Sequence, residues 1–118
     1  AHDSHNIVAV GVDDASIAAA INLIISSKGG VSCVSDGMQG DNTLLELPVA
    51  GLMSTENGYR VAEKYTAIDT KAKALGSKLQ APFMTLSFMC LLVIPHIKLS
   101  DWGLFDGDTF SFFSKTNQ

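Results

Sequence analysis

Residues 6–35 read NIVAVGVDDASIAAAINLIISSKGGVSCVS, and this stretch sets the order of the first elements. Its first six residues are rich in β-branched side chains and close on a glycine, which is typical of a buried, central strand. Isoleucines then recur at positions 17, 21, 24 and 25, the spacing of one helical face. An aspartate at position 13 or 14 can cap this helix, and Gly29-Gly30 can end it. We therefore predict a strand over residues 6–11 and a helix over residues 14–27.

A β-hairpin is predicted next. Residues 31–35 and 43–47 are short strand-like runs. The residues between them include Asp36-Gly37 and Gly40-Asp41-Asn42, which tolerate positive φ. Pro48 ends the second run because proline has no N–H to donate to a ladder. These features indicate two antiparallel strands joined by a turn.

A long amphipathic helix follows the hairpin. Ser54 or Thr55 can cap its start, and Gly76 can end it. Between them the apolar side chains step by 4, 3, 4 and 3 residues, at Val61, Tyr65, Ile68, Ala72 and Leu75. This spacing predicts a helix with one buried face and a charged, solvated opposite side.

The C-terminal part mixes several short elements. Pro82 is suited to the first position of a short buried helix over residues 83–90, which we favour, although the apolar periodicity also allows a strand there. Residues 99–108 are rich in turn formers, and residues 110–113 are predicted to form an edge strand. The resulting order is β-α-β-β-α, followed by a short apolar helix and an edge strand. It predicts one α+β (or α/β) domain over residues 1–118, in which two to three helices pack on a small mixed β-sheet.

Composition excludes several classes of protein. The chain has 118 residues, of which 47% are hydrophobic, which suits one domain with one core. Its net charge of -4 and its lack of lysine or arginine clusters argue against a nucleic-acid partner. Its apolar runs are shorter than the roughly 20 residues that span a bilayer, so no membrane partner is expected. Cys33 and Cys90 lie far apart, which is typical of reduced thiols in a cytoplasmic protein.

The densest polar group lies directly before the first predicted strand and consists of His2, Asp3, Ser4, His5 and Asn6. Two imidazoles near an aspartate and a serine could ligate a metal, act as a general base or hydrogen-bond a polar substrate. In an extended strand His2 and His5 would point to opposite faces, so they share a site only if the backbone turns between them. The spacing leaves these roles open, together with a purely local capping role.

Other polar residues favour structural roles. Gly29-Gly30 follows a helix, whereas a phosphate-binding glycine loop precedes one. Without a partner base, the two cysteines are interpreted as small core residues. His96 can be an exposed loop histidine or a pocket residue, and we favour the first. The remaining acidic residues near Trp102 are interpreted as turn and cap residues rather than a calcium loop: Asp101, Asp106 and Asp108.

Several separated segments carry a family resemblance. They are AHDSHNI at residues 1–7, LPVAGLMS at 47–54, PFMTLSF at 82–88 with VIP at 93–95, and KLSD at 98–101 with Gly103-Leu104. In this order they resemble the C-terminal domain of adenine deaminases of the amidohydrolase superfamily. The resemblance spans nearly the whole chain. It departs from the family around residues 38–42 and at Trp102, where the family often has a charged residue, so a polar contact is not expected from that position.

The resemblance implies a parent enzyme that hydrolyses adenine to hypoxanthine and ammonia in purine salvage or catabolism. It also implies a binuclear manganese or iron centre in a (β/α)₈ barrel domain. This chain lacks the superfamily's His-x-His strand motif, so no metal ligand and no catalytic residue is assigned to it, and we expect the isolated chain to be inactive. The expected partners are the barrel domain of the same enzyme, adenine as the substrate of the parent, and a second copy in a possible homo-oligomer.

Two functions are compatible with this resemblance. In the first, the side chains of residues 2–6 reach the mouth of the barrel and order the substrate or a catalytic loop. In the second, the domain is structural or makes an oligomer contact without touching substrate. We favour the first, because burying so many polar side chains without a task costs free energy unless all of them are paired.

Overall fold

The computed structural model describes residues 1–35 and 40–113. These ranges contain α1 (Asp14–Ser26), β1 (Gly30–Cys33), β2 (Thr43–Glu46), α2 (Gly58–Ala74), α3 (Pro82–Met89), β3 (Ile97–Ser100), β4 (Gly103–Asp106) and β5 (Ser111–Phe112). β1 pairs with β2 in one antiparallel sheet, and β3, β4 and β5 form a second one in that order. The α+β class and the hairpin are confirmed, with two antiparallel sheets in place of one mixed sheet. The predicted turn at Asp36-Gly37 lies outside the described residues.

The β1–β2 sheet is covered by a helix on each face. On one face Ser32 Oγ donates a hydrogen bond of 2.9 Å to a carbonyl oxygen of α1. On the other face Lys71 Nζ of α2 donates to Thr43 Oγ1 at 3.0 Å. Leu45 lies two residues from Thr43 in the same strand, so its side chain points toward α2 as well. Leu45 and Ile68 of α2 are buried, which places part of the core between the sheet and α2.

The cap of α1 is the predicted one. The carboxylate of Asp13 accepts hydrogen bonds of 2.8 Å from both the backbone N–H and the hydroxyl of Ser16. These bonds, the backbone one first, hold the pKa of the Asp13 carboxyl below its usual value because they stabilise the charged form. The helix therefore begins where the sequence predicts.

The start of α2 differs from the prediction of Ser54 or Thr55 as the cap. Asn57 caps this helix, and its Oδ1 accepts a hydrogen bond of 2.9 Å from the N–H of Tyr59. Ser54 Oγ instead accepts from the N–H of Glu56 at 3.1 Å, in a turn that precedes the helix. Both residue types suit either role, so the sequence alone could not assign the cap.

Residues 6–11 do not form the predicted central strand. No backbone hydrogen bond joins residues 7–12 to any other part of the chain that the structure describes. Val10 is 79% exposed, although a central strand would bury it. A β-branched composition is not enough for a strand, which also requires a paired neighbour.

α3 begins at Pro82 as predicted, but the prediction that it is buried is wrong. Met84, Phe88 and Met89 are exposed, and Pro82 is its one fully buried residue among those described. The helix has one helical neighbour, α2, which it meets through an edge-on contact of Phe83 with an α2 tyrosine at 6.5 Å. None of the described helices, α3 included, is long and apolar enough to cross a membrane.

The C-terminal sheet contains a hairpin that the sequence analysis missed. β3 and β4 are joined by the two-residue loop Asp101-Trp102, within a region interpreted as turns. Ser100 Oγ supports this loop, because it donates to the carbonyl of Gly103 and accepts from the N–H of Trp102, both at 3.1 Å. The predicted edge strand over residues 110–113 is confirmed as β5, which pairs with β4.

Candidate functional site

The N-terminal polar cluster, His2, Asp3, Ser4, His5 and Asn6, lies beside the end of α3. The backbone turns over residues 2–4, and the N–H of His5 donates to the carbonyl of Ala1 at 3.0 Å. His5 has a positive φ of 53°, which completes the turn. The condition set by the sequence for a shared site is therefore met, since the chain is not a straight strand between His2 and His5.

Ser4 and Asn6 are held against the C-terminal end of α3. Ser4 Oγ donates to Asn6 Oδ1 at 2.7 Å and lies 3.2 Å from Cys90 Sγ. The Cys90 sulfur is 3.6 Å from Asn6 Oδ1 and 3.0 Å from the carbonyl oxygen of Ser87. Because Ser87 and Cys90 are three residues apart at the end of α3, they lie on one side of the helix. This side of the helix supports the cluster.

His2 is oriented by the same part of α3. Its Nδ1 lies 3.5 Å from Ser87 Oγ, and its ring meets Phe88 edge-on, with ring centres 5.4 Å apart and planes at 87°. The Ser87 hydroxyl donates to the carbonyl of Met84 at 2.8 Å, so its oxygen is left to accept from His2. That arrangement favours the tautomer with the proton on Nδ1 and leaves Nε2 as an acceptor.

The structure does not gather all five residues into one site. Asp3 and His5 form no side-chain hydrogen bond or ion pair with the described residues. All five residues of the cluster are exposed. In this chain the five side chains keep contact with water, so they carry no burial cost here.

Sequence reasoning missed Ser87 and Cys90 as neighbours of the cluster. Ser87 lies in the segment at residues 82–88 that carries part of the family resemblance. The helix predicted to begin at Pro82 also places Ser87 and Cys90 on one side. A helical reading of this segment could have identified the pair, although not what they contact.

The donor set does not suit the metal centre that the resemblance implies. Within residues 1–35 and 40–113, no three side chains of the His, Cys, Asp and Glu types are grouped closely enough to hold a metal ion. A binuclear centre needs several such ligands around each ion. The described residues of this chain thus do not fit that centre.

The other polar candidates have structural surroundings. Cys33 is buried, and desolvation raises the pKa of its thiol, as expected for an inert core cysteine. His96 is exposed, with Nδ1 2.5 Å from Asp108 Oδ2. Asp106 accepts the N–H of Asp108 at 2.9 Å, and this bond is the main reason that the pKa of Asp106 lies below its usual value. Asp101 and Asp108 lie in turns, and Asp106 at the end of β4 caps the turn that follows, in line with the predicted turn and cap roles.

Comparison with known proteins identifies the family. The family described as the adenine deaminase C-terminal domain matches residues 1–111. The adenine deaminase of Sulfurovum sp. is 54% identical over 95% of this chain, and that of Salinibacter ruber is 52% identical over 98%. The adenine deaminase of Borreliella burgdorferi is 48% identical over 95% of the chain. No solved structure matches.

The match includes both sides of the contact described above, since it covers the N-terminal polar cluster and α3. The aligned part is 21% of the Sulfurovum and Salinibacter proteins and 20% of the Borreliella protein. The chain therefore spans about a fifth of the length of the curated relatives it matches. Family match and identity agree, and the chain belongs to the adenine deaminase C-terminal domain family.

Proposed function

We propose that this chain is part of an enzyme that hydrolyses adenine, and that its N-terminal polar cluster supports the active site of that enzyme. The relatives at about 50% identity are named adenine deaminases, which supports the reaction. In that reaction water adds to the ring carbon that bears the amino group, and ammonia leaves. Adenine and water thus give hypoxanthine and ammonia.

The observation that carries the role of the cluster is its attachment to α3. Ser4 and Asn6 meet Cys90, and His2 meets Ser87, so the positions of three exposed polar side chains are set by a helix rather than by a loose terminus. Fixed polar groups on a surface that remains open to a neighbour are what a supporting role in an active site requires.

The free hydrogen-bonding atoms of the cluster suit a purine. Ser4 donates to Asn6 Oδ1, so the Asn6 NH₂ is left to donate to a ring nitrogen. His2 Nε2 is left to accept from an N–H or an amino group. Asp3 and His5 add an acceptor and a second imidazole on the same exposed turn. This set can order adenine, or a loop that holds it, without carrying out the bond cleavage.

The remaining parts of the machinery belong outside this chain. We assign the divalent metals, manganese or iron, to a barrel domain of the same enzyme, as the family resemblance implies. We expect the 118-residue chain to be inactive alone, the enzyme to act in the cytoplasm, and adenine and the barrel domain to be the partners of this domain.

A second candidate function is that of a contact domain, with or without a homo-oligomer. The outer face of the C-terminal sheet favours it. Leu99 is 82% exposed and pairs across the ladder with Leu104, and Ile97 and Phe113 on the same face are also exposed. Exposed apolar faces of this kind mark sites of contact with other protein surfaces.

Substitution in the full-length enzyme tests the first function. His2→Ala and His5→Ala are compared with His96→Ala, which changes a matched exposed histidine in the loop before β3. We expect kcat/KM for adenine to fall about tenfold or more for His2→Ala or His5→Ala, the loss that follows from one substrate hydrogen bond, with an unchanged melting temperature. His96→Ala should leave both unchanged.

Turnover and assembly mass, measured on variants of the full-length enzyme, discriminate between the two functions. If both cluster variants keep full turnover while Leu99→Glu changes the mass of the assembly in solution, the contact function is correct and the active-site role is wrong. If the cluster variants lose turnover and Leu99→Glu leaves the mass unchanged, the active-site role stands.

A further inference from the structure

β1 has an edge that is open to a further strand. Among the described residues β1 pairs with β2 alone, although α1 and α2 cover both faces of this sheet. Sheets covered on both faces normally extend over several strands, and a two-stranded sheet is marginal on its own. The free edge of β1 presents unpaired N–H and C=O groups that a neighbouring strand can satisfy.

An open apolar groove of about 1040 Å³ is lined both by residues of β1 and by the segment that precedes α1. Its lining includes residues 5–13, residues 28–35 and isoleucines of α1. Val10 is 79% exposed and Val12 is fully exposed. Residues 7–12 have no backbone hydrogen bonds to the described chain, so the backbone that this segment brings to the groove is unpaired.

The connection from residues 7–11 to β1 has the form of a parallel crossover. Residues 7–11 are followed by α1 and then by β1, which is the order strand, helix, strand. Such a connection joins parallel neighbours in one sheet and is right-handed in nearly all proteins. α1 packs on the face of β1 that carries Ser32, and a crossover helix likewise packs on a face of its sheet.

We propose that residues 7–11, the strap, close this groove by pairing in parallel with the free edge of β1. β1 then becomes the central strand of a three-stranded mixed sheet in the order strap, β1, β2. Closure satisfies the unpaired backbone groups of the strap and of β1. It also removes apolar surface from water, including that of Val10. Asn6 directly precedes the strap, so closure also sets where the N-terminal polar cluster lies. The inference does not depend on the proposed function.

Solution NMR of the 118-residue chain tests the closure. Parallel pairing brings Hα and HN protons of residues 7–11 within reach of those of residues 30–34, which gives nuclear Overhauser effects between the two. An edge strand donates every second N–H, so alternate amides of the strap should exchange with solvent at least about tenfold more slowly than unprotected ones. The amides of Lys78 and Gln80, in an exposed loop and without hydrogen-bond partners among the described residues, serve as the unprotected reference.

Ala9→Pro and Val10→Pro form a matched pair of variants, because adjacent positions in an edge strand differ in whether their N–H donates. One of the two should abolish protection of the strap and the other should keep it. Equal behaviour of the two variants, exchange of all strap amides at the reference rate, or Overhauser effects that arise only between differently labelled chains would each overturn the proposal.

Discussion

The layered region of α1, β1, β2 and α2 and the C-terminal sheet of β3, β4 and β5 are held together differently. In the layered region helices cover both faces of a sheet, and Ile68 is 0% exposed. In the C-terminal sheet Phe105 is the one buried residue that the structure describes, at 6% exposure. It is packed by Phe110, in the turn before β5, and by Phe112 of β5, at 5.5 and 5.0 Å between ring centres. Because its buried side chains are shared between several elements, the layered region should unfold cooperatively. The C-terminal sheet is instead stabilised by contacts within and next to itself.

The largest effect is expected from Ile68→Ala, which removes the most buried side chain of the layered region. Loss of its apolar contacts and the resulting cavity should lower the free energy of unfolding by about 4 kcal/mol. Chemical denaturation measures this change. Tyr59→Ala on the same helix is the control, because Tyr59 is 88% exposed and should cost little. Equal losses for the two variants would contradict the layered core.

A smaller and more local effect is expected from Phe105→Ala. Its neighbours lie in or beside one thin sheet that can partly collapse, so the loss should be about 3 kcal/mol, the lower end of the range for a buried phenylalanine. Hydrogen exchange should show lost protection in β3, β4 and β5 with α1 and α2 still protected. Leu99→Ala, in the same sheet but exposed, is the control. Simultaneous loss in both regions would show that they unfold as one unit.

The smallest effect concerns pH and the cap of α1. The pKa of Asp13 is lowered in the folded chain, so the carboxylate stabilises the fold above its unfolded pKa of about 3.9. That contribution is lost as the pH falls through the lowered folded pKa. Asp13→Asn keeps a capping oxygen but removes the charge. Wild type should therefore melt above the variant at neutral pH, and the difference should shrink in acid. A difference that grows in acid would contradict the assigned cap.

The fold could be predicted where its determinants are local. α1 and α2 form where expected because their signals are local in the sequence. These signals are the apolar spacing of both helices and the Asp13 cap of α1. The β3–β4 hairpin was missed because Asp101-Trp102 lacks the glycine that usually marks a two-residue loop, and Ser100 supports it instead. The strand expected at residues 6–11 depends on a distant partner, and composition cannot supply one.

The candidate site also combines features that local sequence predicts with features that depend on distant contacts. The N-terminal polar cluster is visible in the sequence as five consecutive polar residues, and the resemblance identifies the family that the comparisons confirm. Its contacts with Ser87 and Cys90 join residues more than eighty positions apart. No local pattern encodes that separation, so both the contact and the exposure of the cluster required the three-dimensional structure.

The central claim is that the groups which cleave the bond lie outside this chain. Its most direct test is an assay of adenine turnover by the purified 118-residue chain, with manganese or iron supplied and with the full-length enzyme as the positive control. We expect the full-length enzyme to release ammonia and form hypoxanthine, and the 118-residue chain to form none. Metal-dependent formation of hypoxanthine by the 118-residue chain alone would contradict the claim.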